Sequence, residues 1–192
     1  MGTTTYAALL RGINVGGSRK VPMAELRALL AERGYGRVRT HLQSGNVVLD
    51  APADTLADAG GDPDAALAAR LETAVEERFG FPVGVVVRDH AYLASVVDAC
   101  PFPAETLEGA QLHVTYYSRP VDPARFAAVD AAAHLPERFH LGDRALYLLA
   151  PDGLGRSRLA DVLAGATPAR DGVVATSRNW NTVRRLLELT AS

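Results

Sequence analysis

The run RGINVGGSRK, Arg11 to Lys20, concentrates glycine and positive charge at one place in the chain. Gly12, Gly16 and Gly17 let a backbone turn tightly and approach a ligand closely. Arg11, Arg19 and Lys20 supply formal charge, and Asn14 supplies hydrogen-bonding groups. A helix pattern begins directly afterwards at VPMAEL, and a helix start offers unpaired N–H groups and the positive end of a dipole. These are the parts of an anion site. The pattern is neither a Walker A loop nor G-x-G-x-x-G, so it names no nucleotide and no cofactor. Lys20 is the one lysine among 20 basic residues, and it falls in this run. A plainer account also exists, in which the glycines serve turns and the arginines serve solubility.

A second run, QSGN (Gln43, Ser44, Gly45, Asn46), carries further hydrogen-bonding side chains, although hairpin chemistry alone explains a Gly-Asn turn. A third cluster has a similar make-up. Gly153 and Gly155 precede Arg156, Ser157 and Arg158, and TSRNWNT brings Arg178, Asn179 and Asn181 to another helix start. The competing account of TSRNWNT is an N-cap by Ser177 or Asn179, worth about 1 kcal/mol. Trp180 would then be core, since Trp180, Val183 and Leu187 share one helical face with Leu186 beside them.

Catalytic constellations are thin. His41, His90, His113, His134 and His140 show no H-x-x-x-H or H-E-x-x-H spacing, and G-x-S-x-G does not occur. Cys100 stands alone, which excludes a disulfide framework and a thiolate metal cluster. His113 reads as a structural residue in a strand, and YY at Tyr116–Tyr117 as one core and one half-exposed tyrosine.

The elements that must position these groups read in order. A strand covers Tyr6–Leu10. A helix follows, with Met23, Leu26, Leu29 and Leu30 as its apolar stripe and Gly34 at its close. Strands near Val38–Leu42 and Val47–Leu49 flank QSGN. The acidic, Gly/Pro-rich stretch Asp50–Asp64 reads as a mobile loop. A helix with Leu67, Leu71, Val75 and Phe79 on one face leads into the strand FPVGVVVRD. The order β-α-β-β-α-β predicts a ferredoxin-like, split β-α-β unit. HAYLASVVDA reads as a short helix and CPFPAETLEG as a linker. The order then restarts: a strand at AQLHVTYYS, a helix over DPARFAAVDAAA, strands at ERFHL and ALYLLA around Gly142–Asp143, a helix at RSRLADVLAG, a strand at GVVATS and a closing helix at WNTVRRLLELT. The expectation is an α+β protein of two ferredoxin-like halves with antiparallel sheets, residues 1–100 and 110–192, the second with an extra C-terminal helix. This topology places RGINVGGSRK beside QSGN at one end of the first sheet, and PDGLGRSR near TSRNWN in the second.

Four of these stretches together, ALLRGINVGG, VPMAELRALL, THLQSGNVVL and ATSRNWNTV, resemble the uncharacterised bacterial family called domain of unknown function sixteen ninety-seven. The resemblance implies the same fold of two ferredoxin-like halves and no established activity.

Composition bounds the partners. A length of 192 residues, 48% hydrophobic, suits an ordinary globular chain, and a net charge of −2 gives no global field for nucleic acid or membrane. No apolar run approaches the roughly 20 residues that span a bilayer. The start MGTTTYAALLRG lacks the basic n-region of a secretory signal. Together these point to a cytoplasmic protein. Three functions are then open: a module binding a small anionic, phosphate-bearing ligand; a nucleic-acid-binding protein, a role that ferredoxin-like sheets host; and an enzyme of unrecognised class. An RNA-recognition sheet needs aromatic residues on strand three, and NVVLD has none.

Overall fold

Met23, Leu26, Leu29 and Leu30 are all buried, so the expected stripe is the packed face of α1 (Met23–Glu32). Pro22 stands at the N-cap with extended backbone, a position where its missing N–H costs nothing. The chain turns after the helix through Gly34, at φ +87°. In the computed structural model, residues 2–52, 62–167 and 172–191 are described. They divide into two compact units, Met1–Leu93 with Leu186–Ser192, and Ala94–Arg185.

The first unit runs β1 (Thr3–Leu10), α1, β2 (Gly36–His41), β3 (Asn46–Pro52), α2 (Pro63–Phe79), β4 (Val85–Asp89) and the start of α3 (His90–Asp98). Its sheet has the order β2-β3-β1-β4, antiparallel throughout. This is the split β-α-β arrangement the element order predicts. Tyr6, Ala8 and Leu10 of β1, Val47 and Leu49 of β3 and Val85 and Val87 of β4 form one core with Leu26 and Leu30 of α1 and Leu67 and Leu71 of α2. Each fully buried leucine of this kind contributes about 1.5–3 kcal/mol.

Most of the stretch read as a mobile acidic loop, residues 53–61, lies outside the described residues. Its two ends are structured. Asp50, Ala51 and Pro52 complete β3, and Asp62 caps α2 by accepting from Asp64 N–H at 3.0 Å. Asp50 is tied down by Arg37. A bulge between Gly36 and Arg39 turns Arg37 back, with φ +42°, so that its Nε and Nη2 donate to the two carboxylate oxygens at 2.5 and 3.0 Å. Thr5 adds a third hydrogen bond at 2.8 Å. Only 12% of the Asp50 side chain is exposed. The Arg37 hydrogen bonds hold its carboxyl below the usual range against the opposing effect of burial. A carboxyl whose pKa is depressed on folding stabilises the fold above its unfolded pKa of about 4, and that contribution disappears as pH falls through the depressed value. Urea titrations of wild type and Asp50→Asn at pH 7 and pH 2–3 should therefore show a stability gap that narrows with acid. A gap that is constant with pH would mean that packing, not charge, makes the Asp50 contribution.

The second unit repeats the order with β5 (Leu112–Tyr117), β6 (Arg138–Gly142), β7 (Ala145–Leu149), α4 (Arg158–Ala166) and β8 (Ala175–Asn179), followed by α5 (Trp180–Thr190). The sheet order is β6-β7-β5-β8, again antiparallel. Three expectations are corrected here. Tyr116 and Tyr117, read as one core and one half-exposed tyrosine, are both buried. The helix expected over DPARFAAVDAAA is two short 3-10 turns, Pro123–Phe126 and Ala131–His134. Asp122 caps the first, and Asp130 starts a new cap in mid-segment by accepting from Ala132 and Ala133 N–H. Only Phe126 of these residues is buried, so no apolar stripe holds a longer helix. The strand expected at GVVATS lies further on, at ATSRN, and takes in Arg178 and Asn179.

The repeat reaches one residue that element order alone does not show. Arg88 is the penultimate residue of β4, opposite Ala7 of β1, and Arg178 is the penultimate residue of β8, opposite Val114 of β5. Both arginines are buried. Arg88 reaches Val87 O at 2.6 Å and Asp64 at 3.4 Å, and its guanidinium lies over the Tyr92 ring at 4.6 Å. Among the described residues, no helix is long and apolar enough to cross a membrane.

Candidate functional site

Five residues between Gly12 and Arg19 have positive φ: Gly12, Asn14, Gly16, Gly17 and Arg19. Asn14 and Arg19 are not glycine, and each bears the cost of a left-handed backbone. The run therefore folds as a tight loop rather than an extended connection. Its neck is closed by Asn14 N–H donating to Arg19 O at 3.1 Å, with a bridge between Val15 and Ser18 beyond it. The Asn14 side chain is a clasp. Its Oδ1 accepts from Val21 N–H at 2.9 Å, and its Nδ2 donates to Val21 O at 3.0 Å and to Gln43 O at 2.8 Å.

That last bond joins the loop to the QSGN hairpin, as the topology requires. Leu10 N–H also donates to Gly45 O at 2.8 Å. Gly45, at φ +79°, lies so close to the loop that an added Cβ would stand 2.8 Å from Leu10 Cβ and from Ile13 Cδ1. Asn46 is fully buried and donates to His41 O and Ser44 Oγ. Gln43 and Ser44 are exposed. The side-chain amides of Asn14 and Asn46, both candidate ligand contacts, also hold the loop and the hairpin in shape.

Arg11, Arg19 and Lys20 surround this framework, are all exposed, and make no ion pair among the described residues. The Arg19 guanidinium passes over Gly12, 4.0 Å from where a Cβ would be. Gly16 and Gly17 have open space around them. Val15 is 67% exposed and Leu42, at φ +61°, is 57% exposed. The start of α1 carries no side-chain cap.

The second cluster is arranged differently. The ends of β7 and β8 flank the start of β5, where His113 pairs with Leu148 on one side and Asn179 on the other. At the start of α4, Ser157 Oγ accepts from Ala160 N–H and Glu137 accepts from Leu159 N–H, so a carboxylate already occupies that helix end. Asn179 Oδ1 caps α5 by accepting from Thr182 N–H at 3.0 Å, the capping role weighed from sequence. Arg178 Nη1 donates to Thr176 Oγ1 and Ser177 O, and burial lowers its pKa to about 10. Asn181 lies against Gly109, whose hypothetical Cβ would be 2.1 Å from Asn181 Oδ1, and Trp180 N–H donates to Gly109 O. Trp180 itself is 5% exposed, in keeping with the core stripe. His113 is also buried, and burial pushes its pKa down, so the imidazole is held neutral.

The sequence matches the family model described as protein of unknown function (DUF1697) over residues 3–147. The chain belongs to this family. The matched span contains the whole Arg11–Asn46 arrangement and ends before TSRNWN. Among solved structures, the conserved bacterial protein SP0830 from Streptococcus pneumoniae is similar, with a TM-score of 0.75 and 23% identity over 98% of this chain and 99% of that one. At that identity the likeness concerns the fold. No curated protein matches the chain.

Proposed function

We propose that this member of the family binds a small phosphate-bearing anion on the loop Arg11–Lys20 and the neighbouring hairpin. The observation that carries the reading is the Asn14 clasp: a loop with five positive-φ residues is held fast against the hairpin while its three cations stay exposed, with no ion pair among the described residues. Asn14 and Arg19 hold left-handed backbone that glycine alone adopts freely, and strain of this kind clusters at functional sites. Arg11, Arg19 and Lys20 supply charge, Gly16 and Gly17 give close access to backbone, and Gln43 and Ser44 add polar groups from the hairpin. Ser157, Arg178 and Asn179 of the second cluster are engaged within the protein, while Arg156, Arg158 and Asn181 are exposed; the reading rests on the first cluster, where three exposed cations share one clasped loop. Nucleic acid fits less well. The side chains of β3 from Asn46 to Ala51 are buried on both faces, which leaves no stacking platform of the RNA-recognition kind. The reading also places the protein in the cytoplasm, supported by its single cysteine.

Each exposed cation contributes about 1 kcal/mol or less, so binding depends on several acting together. A ligand present at 100 times its Kd raises stability by about 2.7 kcal/mol. A thermal-shift screen of nucleotides and sugar phosphates should find compounds that raise the wild-type Tm. The same compounds should shift Lys20→Glu and Arg11→Ala less, while both variants melt normally without ligand. Equal shifts in all three proteins, or none in wild type, would reduce the loop to a turn.

A further inference from the structure

The linker Cys100–Gly109 does more than join the two halves of the sequence. Gly109 is pinned to the start of α5 by the Trp180 backbone N–H bond and by Asn181, and residues of Cys100–Thr106 face a cavity together with Trp180 and Arg184 of the helix. This cavity, inside the second unit, has a volume of about 440 Å³. That volume lies within the range of small-molecule sites, about 300–1,000 Å³.

Its lining has a definite chemistry. Phe102 and Trp180 contribute aromatic surface, and Val97 and Ala104 contribute aliphatic surface. Arg184 stands one helical turn beyond Trp180, on the same face of α5, and also lines the cavity. Arg184 makes no ion pair or hydrogen bond among the described residues. Glu105 also lines the cavity and is exposed, and it forms no ion pair with Arg184. The Arg138 guanidinium lies over the Phe102 ring, 5.6 Å from its centroid.

We infer that this cavity binds a small aromatic carboxylate, its ring against Phe102 and Trp180 and its carboxylate on Arg184. A planar guanidinium matches a carboxylate in two parallel hydrogen bonds, and the aromatic walls reward a flat apolar body. The site is separate from the Arg11–Lys20 loop and stands or falls independently of it.

Two single residues report on the cavity directly. Trp180 is the chain's one tryptophan and Cys100 its one cysteine, and both line it. Phenylacetate is a suitable probe, because a phenyl ring does not absorb at the wavelength that selects tryptophan. Phenylacetate should shift Trp180 emission saturably and slow alkylation of Cys100. Phenylacetamide, which lacks the charge, and acetate, which lacks the ring, should each bind at least tenfold more weakly. Arg184→Gln should weaken phenylacetate binding about tenfold, the loss expected of one charge-assisted hydrogen-bonding group. Arg184 is exposed, so this variant should keep the wild-type Tm. Lys20→Glu should bind phenylacetate as wild type does. The inference is overturned if phenylacetate gives no saturable change, if phenylacetamide binds equally well, or if Arg184→Gln binds phenylacetate with unchanged affinity.

Discussion

Gly45→Ala is expected to destabilise the protein by about 2–5 kcal/mol, through two effects that add. The first is conformational. Gly45 has φ +79°, and an L-residue held in the left-handed region costs about 1–2 kcal/mol. The second is steric. The new methyl would stand 2.8 Å from Leu10 Cβ and 2.8 Å from Ile13 Cδ1, both on buried residues. Leu10 Cβ is anchored directly to β1 backbone, so relief requires the hairpin to shift, and overpacking of this kind costs about 1–3 kcal/mol. Gly16→Ala separates the two effects. Gly16 also has positive φ, +61°, but its Cβ would meet nothing within 4 Å. It should lose only the conformational part, about 1 kcal/mol. Urea denaturation of both variants decides the matter: equal losses would mean that the contact of hairpin and loop is soft enough to absorb a methyl group.

Trp180→Ala is expected to cost about 3–5 kcal/mol, the range for truncating a large core aromatic. Trp180 is 5% exposed, at the start of α5, with Val183 and Leu186 buried on the same stripe. Trp180 also lines the cavity with Phe102 and Cys100, so the lower part of the range is expected. Trp180→Phe keeps an aromatic ring there and should lose less. Calorimetric melting measures both. Were Trp180→Ala to melt within a degree or two of wild type, the indole would be a surface group and the stripe assignment would fail.

Sequence periodicity carried most of the first unit, because its elements follow simple local rules. The stripe Met23, Leu26, Leu29 and Leu30 has helical spacing, and β2 and β3 are separated by a glycine turn. The second unit resisted where local and tertiary signals diverge. DPARFAAVDAAA is rich in helix formers, yet Asp130 caps a new turn and only Phe126 finds a core. Residues of β8 read as a helix cap because Ser, Arg and Asn say nothing of strand pairing; the ladder to β5 decides it. The buried pair of arginines, Arg88 and Arg178, was hidden for the same reason, since arginine ordinarily signals surface. At the candidate site the composition of the loop was legible. The division of labour within it was not: that Asn14 clasps while Arg11 and Lys20 stay open depends on which atoms meet across the sheet. An asparagine set among glycines is the trace that such a clasp leaves in a sequence.

The Asn14 clasp has a kinetic consequence. Because its amide ties the loop to both Val21 and the Gln43 carbonyl, the loop cannot swing aside without loosening the β2–β3 hairpin as well. A molecule arriving there meets a surface already in its final form. Association of the proposed anion at this surface would then be governed by encounter, and hence by charge and ionic strength, rather than by the opening of a gate.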